Sequence, residues 1–571
     1  MANGFGNMYI GASGLQSAQN ALNTTANNLA NVNTKGYVRQ QVVFSDRRYD
    51  VLRDPTLRVN AHQSGTGVGI GDVVHARDVF LDKAYRLESG RNTFYDSCYE
   101  ITTYVEDLLQ ELDGEQFKES VEDLWESFQE LSKTPADSVT QNLVLQKSEL
   151  LLSRAQTLYD DLKEYQLNID MQIKEDVKRV NEIGEAIYNL NMEIQKVESN
   201  KVETAMTLRD ERDKLLDELG KYGNMTVTED ALGFVYVNFE AVDFVFEAGY
   251  HSIEIKEDNL TGFSTPYWSH LSEPRKDLYV GVFDLDIPIV SEMNTDVGTI
   301  KAKMLMRGDR FGIYSDLLTA DGYKEVQDEV VMETEAQVDL LIHEIVTAVN
   351  NAMSPNKDYV LQNNLYDAQG NLLHQAGETI QILDVDKCAR GEDGGLPPQE
   401  IFVRQGMERY TTYEINGETI YVYNEEDPED SNSLYRLGNL EVNETLKKVI
   451  TMFPAYTENK AVDFQMAERL VEIWNVQGMH INPTDRYPCT FQDFYDKMIA
   501  KLGTDGNIYK SSSDTLSTTT ASLENSRQQV LGVSSDEELA KLIKYQSAYN
   551  ASSRYMTVIS QMTELIVTGL I

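Results

Sequence analysis

The chain contains few of the residues that build metal centres and disulfide frameworks. It has three cysteines, Cys98, Cys388 and Cys489, and seven histidines among 571 residues. The cysteines lie far apart, and no CxxC or Cys/His spacing typical of a zinc site occurs. We therefore expect neither a zinc site nor a disulfide framework.

Long hydrophobic segments are also missing. No run approaches the roughly 18 apolar residues that span a bilayer, and the first residues lack the basic and apolar regions of a secretory signal peptide. The 93 acidic residues outnumber the 50 basic ones, for a net charge of −43. A strongly negative surface repels phosphate groups, so we expect neither nucleic acid nor a membrane as a partner.

Two short motifs start like metal sites and then fail. His343-Glu344 begins an HExxH zinc motif, but Thr347 stands where the second histidine ligand is needed. We therefore expect His343 to be a surface or packing histidine. Asp384 begins a sequence like a calcium loop, but its twelfth position is Gly395 instead of glutamate.

Two further motifs are equally uninformative about chemistry. The glycines of 65–71 alternate with Val68 and Ile70, which predicts a strand or hairpin and misses the GxGxxG spacing of a dinucleotide site. The tripeptide Arg307-Gly308-Asp309 is short enough to arise by chance, and we interpret it as a turn. No arrangement of residues supports catalysis, so we expect no enzyme activity, no metal and no cofactor.

The first 34 residues contain no charged side chain but eight asparagines. Leucines recur every seven residues, and a second set of small or branched residues (Ala18, Thr25 and Val32) recurs between them, which predicts a helix with an a/d seam. Its apolar area is too small to offset the entropy of ordering, so the helix needs a partner along its length. The residues predicted to form this assembly helix are Leu15, Ala18, Leu22, Leu29 and Val32.

Charge is distributed unevenly along the chain. Residues 1–60 carry a net charge of +3 and residues 522–571 carry −1, which leaves −45 on the remainder. Near-neutral ends can pack closely beside further copies, whereas the acidic middle would be repelled. An alternative interpretation stays open, in which the acidic surface serves only to keep the protein in solution.

The middle of the chain alternates between helical and strand-like patterns. From Val79 to Gly220 the pattern is helical, with a heptad seam over 166–197, and breaks near Pro135 and Gly220 predict a helical hairpin or bundle. Residues 225–300 and 357–440 alternate as strands do. A further helix is expected over about 315–353.

Two helices are predicted at the end of the chain. One begins near Phe491 and keeps a seven-residue apolar step as far as Val530. After a break at Gly532, we expect Ser535 to cap the final helix, with Glu538 completing a capping box. Apolar positions spaced three and four apart along this helix predict that it pairs with the N-terminal helix in a terminal coiled coil.

These patterns predict a multidomain α+β protein with a long terminal coiled coil, a helical-bundle stalk and an inserted β-rich part. The terminal domain is predicted over 1–60 plus 522–571. The helical stalk is predicted over 61–224, 301–356 and 441–521, and the β-rich insert over 225–300 plus 357–440.

Two segments carry a family resemblance. ANNLANVNTKGYVRQ (26–40) resembles the N-terminal signature of the flagellar rod, hook and hook-associated axial proteins. GVSSDEELAKLIKYQSAYNASSRYMTVISQMTELI (532–566) resembles the C-terminal half of that signature. The residues matching the first are Ala26, Asn27, Asn28, Leu29, Ala30, Asn31, Asn33, Thr34, Gly36, Tyr37, Arg39 and Gln40.

Within this family, three features favour the junction between hook and filament. They are the sequence YVRQ (37–40), the long helical region after residue 79, and the stretch RDERDKLLDEL (209–219) together with SRQQVLGVSSDEELAKLIKYQ (526–546). Other readings stay open: a hook or distal rod protein, an adhesin or enzyme displayed by the β insert, and a freely secreted helical effector.

The resemblance implies an extracellular structural protein of the bacterial flagellum that is exported by the type III apparatus without a cleavable signal peptide. It implies self-assembly into a ring or short tube, contacts with the hook protein and the next hook-associated junction protein, and an export chaperone at the C-terminal helix. The expected assembly and chaperone-binding residues are Leu539, Leu542, Ile543, Tyr545, Tyr549, Met556, Ile559, Met562 and Ile566.

Overall fold

The computed structural model describes residues 2–34, 36–47, 50–53, 61–110, 117–199, 204–366, 372–415, 417–428 and 430–569. Helices dominate this part of the chain. They are α1 (Ala2–Ala30), α2 (Val79–Gln110), α3 (Phe117–Lys133), α4 (Ser138–Glu198), α5 (Met206–Leu219), α6 (Thr299–Arg307), α7 (Ala320–Val326), α8 (Val330–Met353), α9 (Glu444–Lys448), α10 (Phe464–Glu472), α11 (Phe491–Leu531) and α12 (Ser535–Thr568).

The strands form small antiparallel sheets. They are β1 (Gln40–Asp46), β2 (Asp50–Arg53), β3 (Ala61–Ser64), β4 (Val68–His75), β5 (Met225–Glu229), β6 (Val235–Phe239), β7 (Val242–Phe246), β8 (Gly249–Tyr250), β9 (Ile253–Glu257), β10 (Ser264–Trp268), β11 (Asn356–Val360), β12 (Leu365–Tyr366), β13 (Leu372–His374), β14 (Thr379–Leu383), β15 (Phe402–Arg404), β16 (Tyr410–Ile415), β17 (Glu418–Tyr423) and β18 (Leu440–Val442). The four-stranded sheets have the orders β5-β6-β7-β8 and β11-β14-β17-β16, and β1 pairs with β4.

Helix α4 is the spine of the stalk. Its 61 residues correspond to a length of about 90 Å, and Asp137 caps its first turn by accepting a hydrogen bond from Val139 N at 3.0 Å. The apolar residues of the heptad seam predicted over 166–197 face the core, and only Val197, the last of them, is exposed. The buried seam residues are Ile169, Ile173, Val180, Ile183, Ile187, Leu190 and Ile194.

Helices α2 and α11 lie antiparallel beside this spine. Tyr495 Oη donates a hydrogen bond to the Leu109 carbonyl at 2.5 Å, and Ser513 Oγ lies 3.3 Å from Asp96 Oδ1. As the residue number rises along α11, it therefore falls along α2. The pairing explains why the Ser/Thr-rich run of α11 is helical, because α2 covers its narrow apolar stripe.

The α+β fold class predicted from the sequence is confirmed, with helix over 56% of the chain. The helical region after Val79, the strands after residue 225 and the helix beginning at Phe491 lie where the patterns placed them. The domain limits stay a prediction, and residues 54–60 of the first predicted domain lie outside the described part of the chain.

Two details of the prediction were wrong. Ser534, not Ser535, caps α12, and its Oγ accepts a hydrogen bond from Glu537 N. Glu538 is therefore not the capping-box residue, and its side chain points into the protein. The tripeptide at 307–309 is also more than a turn, since Arg307 ends α6 with its side chain buried against Asp170.

Helix α8 has an unusual number of buried acids for a core helix. Burial raises the pKa of Glu335 and of Glu329, the residue before the helix, to about 8. Burial likewise raises the pKa of Asp339, and of Glu400 near the opposite end of the helix, to about 7. Each of these groups is more readily neutral in the folded chain than in the unfolded one.

These acids predict that the free energy of unfolding falls as the pH rises from 6.5 to 8.5. In that window the unfolded chain has already released these protons, whereas the folded chain releases them only as the pH passes 7 to 8. Burial lowers the pKa of His343 to about 4. Its protonation in the unfolded chain makes the free energy of unfolding rise with pH, but only below about pH 6.5. Urea unfolding at pH 6.5, 7.5 and 8.5 measures the slope. Glu335→Gln should flatten it, whereas the same change at exposed Glu414 should not.

Candidate assembly interface

The two ends of the chain meet in an antiparallel helix pair. A Cβ atom built on Gly11 would lie 2.6 Å from Met556 Sδ, and one built on Gly14 would lie 2.9 Å from Ser552 Oγ. Further along, Asn28 Nδ2 donates a hydrogen bond to Glu538 Oε2 at 3.0 Å. Each contact joins residues whose numbers add to about 566, so α1 and α12 run in opposite directions with one register.

The buried residues of α1 are small, Ser13 among them at 2% exposed, and do not include its leucines. Leu15, Leu22 and Leu29 are half-buried at the flanks of this face. Val32 is not part of the helix, since α1 ends at Ala30, and it lies half-buried in the following turn. Small residues let the two backbones approach closely, which leucines at the centre would prevent. Among the described side chains of α1, the buried ones are Gly11, Ser13, Ser17, Ala18, Ala21, Thr25 and Asn28.

A strand hairpin covers another side of α1. Ser17 Oγ donates to the Val68 carbonyl at 3.3 Å, and a Cβ atom on Gly67 would lie 3.2 Å from the Cα atom of Ile10. The ring of Phe44, in β1, lies 6.1 Å from that of Tyr545, in α12. The helix pair and the β1–β4 hairpin therefore form one packed unit.

The predicted residues of α12 divide into two groups. Leu542, Tyr545, Tyr549 and Met556 are half-buried and Ile559 is buried, at the three- and four-residue spacing of a seam facing α1. The others, Leu539, Ile543, Met562 and Ile566, are exposed. The structure thus places only the first group in the helix pair.

An exposed apolar stripe runs along the last turns of α12. Its members are between 40% and 75% exposed and recur at a spacing that places them on one helix face. Single exposed apolar residues are common, but a row of them marks a surface that binds another protein. The stripe comprises Tyr555, Val558, Met562, Leu565 and Ile566.

Asn28 connects this helix pair to the chain that follows α1. Its Oδ1 accepts hydrogen bonds from Gln40 N at 3.0 Å and from Tyr37 Oη at 2.8 Å. Its Nδ2 donates to the Gln40 carbonyl at 2.9 Å as well as to Glu538. The side-chain amide therefore pairs with the main chain of Gln40 as a neighbouring strand would.

The other motif residues shape the turn after α1. Asn31 Nδ2 donates to the Asn27 carbonyl and Thr34 Oγ1 to Asn31 Oδ1, while Gly36 adopts φ +77°, a conformation that favours glycine. Burial, with the charges of Asp210 and Glu538, raises the pKa of Tyr37 to about 12. Ala26, Ala30 and Asn33 are exposed.

The turn is anchored on both sides. Arg39 pairs with Glu537 at 3.0 Å, and its backbone N–H donates to the Leu531 carbonyl. The backbone N–H of Val38 donates to Asp210 Oδ2, in α5, at 3.3 Å. The signature segment thus contacts α12, the end of α11 and the stalk at once.

A charged cluster joins these elements to the stalk, and the sequence patterns did not reveal it. Arg527, in α11, bonds Asp82 Oδ1 and Asp217 Oδ2, both at 2.8 Å. Arg77 contacts Asp82 and Asp213, and Arg86 contacts Asp217. The stretch 209–219 supplies Asp213 and Asp217, two of the three carboxylates of this cluster. Pairing across α2, α5 and α11 could be seen only in three dimensions.

The short motifs have structural explanations. His343 is a packing residue, since its ring stacks on Tyr314 at 3.9 Å between centroids and its Nε2 lies 3.1 Å from Glu426. Over the described ranges, no group of three histidine, cysteine, aspartate or glutamate side chains could hold a metal ion. Among the same residues, no helix is both long and apolar enough to cross a bilayer.

Different protein families match the two ends of the chain and its middle. Residues 8–37 match the family model "Flagella basal body rod protein", and residues 527–568 match "Flagellar basal body rod FlgEFG protein C-terminal". Residues 102–366 match "Flagellar hook-associated protein FlgK helical domain". Flagellar hook-associated protein 1 of Bacillus subtilis is 24% identical over 559 residues, which cover 97% of this chain and 96% of the relative. The chain is thus similar to flagellar hook-associated protein 1 along nearly its whole length.

Other family members are similar over shorter stretches. Flagellar hook-associated protein 1 of Salmonella typhimurium is 28% identical over 221 residues, 38% of each chain. The solved hook junction protein FlgK of Burkholderia pseudomallei is 12% identical, covers 79% of this chain and 99% of its own, and has a TM-score of 0.45. In line with these relatives, the chain is a structural component of the flagellum and not an enzyme.

Proposed function

We propose that this chain is a subunit of the junction between the flagellar hook and filament, and that filament growth requires it. The observation that carries the proposal is the terminal helix pair, which leaves the exposed stripe of α12 uncovered. In a ring or short tube of identical subunits, a second copy would cover that stripe. The hook protein and the next hook-associated junction protein would contact the two ends of such a segment.

The chemistry of the ends supports assembly of many copies. No charged side chain occurs in α1, so neighbouring copies can pack without repulsion and without burying unpaired charge. The amides and hydroxyls of α1 can form hydrogen bonds between copies in place of a large apolar seam. The strongly acidic remainder of the chain would point away from the axis.

The exposed residues of α12 also support a role for an export chaperone. We propose that the chain leaves the cell through the type III apparatus and that the chaperone covers Leu539, Ile543, Met562 and Ile566 beforehand. These side chains are exposed in the monomer, where they would otherwise promote premature association.

A deletion strain tests the proposed function. Cells lacking this chain are expected to carry hooks without filaments and to shed filament protein into the medium, because the filament has no subunit on which to begin. Electron microscopy of the cells and immunoblots of the medium measure both effects. Restoring the chain from a plasmid should restore filaments, and normal filaments on the deletion strain would refute the proposal.

A further inference from the structure

Two large apolar side chains project into water from the start of α2, at the base of the stalk. Val79 is 75% exposed and Phe80 is 85% exposed. The turn that carries them is capped by Asp78, whose Oδ1 accepts hydrogen bonds from Phe80 N at 2.9 Å and Leu81 N at 3.3 Å. The cap holds the Phe80 ring in a defined place, where a second surface could cover it with a gain in free energy.

A cavity of about 660 Å³ lies beside this turn. It is bounded by β4, α2, α5 and the strands β5 and β6, and Val79 forms part of its wall. Its volume falls in the range of about 300–1,000 Å³ typical of binding sites. The cavity can therefore accept an apolar group from a partner. Its apolar lining includes Leu87, Met206, Leu216, Met225, Val227 and Val235.

The Phe80 ring does not enter the cavity of its own chain. Successive residues of an α-helix point about 100° apart, so a turn that places Val79 on the cavity wall directs Phe80 away from it. The high exposure of Phe80 agrees with this geometry. A ring that fills the cavity must therefore come from another molecule.

The positions of the ring and the cavity favour a second copy of the chain as that molecule. Both lie at one level of the stalk, because Val79 lines the cavity and Phe80 follows it. When identical subunits stand side by side, features at one level face each other across the boundary. A contact between two different surfaces repeats from copy to copy and generates a ring or a helical tube.

Charge also favours this pairing. The cavity is lined by five basic and three acidic side chains, although the chain as a whole carries a net charge of −43. The carboxylate of Asp78 accompanies the Phe80 ring and would meet this basic excess. Guanidinium groups also bind the faces of aromatic rings. The basic side chains of the lining are Arg77, Lys83, Arg86, Arg209 and Arg212.

We propose that Phe80 of one copy inserts into this cavity of the neighbouring copy in the assembled segment. The inference rests on the proposed function for its biological role, since the contact forms only where subunits stand side by side. It joins the stalks of neighbouring subunits and is distinct from the exposed stripe of α12.

A photo-reactive side chain at residue 80 tests the contact in assembled flagella. The Phe80→p-benzoylphenylalanine chain is expressed beside the native chain, so that flagella form, and isolated flagella are irradiated. Immunoblots should show a product of twice the mass of the chain, and mass spectrometry should place the attachment within 204–235 of the second chain. The purified chain before assembly should give no such product.

Leu260 provides the matched control, because it is 95% exposed and lies between β9 and β10, outside the cavity lining. Leu260→p-benzoylphenylalanine should give no attachment within 204–235. Four results at residue 80 would overturn the inference: no product, attachment within the same chain only, attachment to a second copy outside the cavity lining, and attachment to a different protein.

Substitution of Phe80 tests whether the contact matters for assembly. In a strain without the native chain, Phe80→Ala should lower the number of filaments per cell at least fivefold, whereas Phe80→Trp and Leu260→Ala should keep it near normal. Because the ring is exposed in the single chain, Phe80→Ala should move the midpoint of thermal unfolding by no more than about 2 °C. Normal filament numbers in Phe80→Ala, or a larger loss of stability, would count against the inference.

The deletion strain keeps the two proposals apart. Bare hooks on the deletion strain, with normal filaments in Phe80→Ala and no cross-link into the cavity, would refute the inference and leave the proposed function standing. Cross-links into the cavity, with normal filaments on the deletion strain, would support the contact and refute the proposed function.

Discussion

Removal of residues 539–571 is expected to abolish filament growth while the stalk stays folded. The main hydrophobic core extends from Phe94 to Leu502 and, among the residues that the structure describes, includes none from α1 or α12. The truncated chain loses the α12 side of the helix pair and the exposed stripe. It therefore retains its core but lacks the surfaces proposed to pack against other subunits. In a strain lacking the full-length chain, electron microscopy should show bare hooks.

The stability of the truncated chain is the necessary control. Circular dichroism should show helix loss close to the length of α12 plus the now unpaired α1, because an isolated helix with so little apolar surface is marginal in water. The cooperative unfolding transition of the stalk should persist with a midpoint within a few degrees of the parent. Filament growth with the truncated chain, or loss of the stalk transition, would contradict the division into a terminal assembly unit and an independent core.

Replacement of Arg527 by methionine is expected to be among the most destabilising single changes in the stalk. The Arg527 side chain is 6% exposed, and Asp82, one of its partners, is 9% exposed. Removal of one member of a buried ionic cluster leaves the opposite charges uncompensated and typically costs about 3–5 kcal/mol. Urea unfolding should show that loss, with an unchanged dependence on denaturant concentration.

Two further variants separate lost charge pairing from lost packing. Arg527→Met combined with Asp217→Asn should recover part of the stability, because it removes the negative charge that is in excess once Arg86 is the only remaining arginine beside Asp217. Arg486 is exposed, and Arg486→Met should change the free energy of unfolding by no more than about 0.5 kcal/mol. If Arg527→Met were as mild as Arg486→Met, the cluster would not hold α2, α5 and α11 together.

The periodicity of the chain was enough to locate many elements. The heptad seam between Ile169 and Ile194 predicted the buried side of α4, and the seven-residue step after Phe491 predicted a continuous helix through a Ser/Thr-rich run. These predictions succeeded because apolar spacing reflects which side of a helix must leave water, whatever covers it.

The interface of the helix pair could not be worked out in the same way. Leu15, Leu22 and Leu29 form the predicted apolar seam of α1, yet they flank a buried face of small residues. Hydrophobicity ranks side chains by their transfer from water, but a close helix crossing selects those that fill little space. Glu538 shows the same limit, since its spacing from Ser535 suggested a cap and its actual partner is 510 residues away.

The sequence by itself determined that this is a helical protein with near-neutral ends, an acidic middle and two terminal helices that each need a partner. The uncharged first 34 residues and the signature at each end also predicted its similarity to the flagellar axial proteins. Only the tertiary structure decided which side chains of α1 are buried, which half of the predicted α12 residues face it, and that Asn28 meets Glu538. The physical reason is that a buried amide or carboxylate is favourable only with its partner in place, and the fold brings those partners together from opposite ends of the chain.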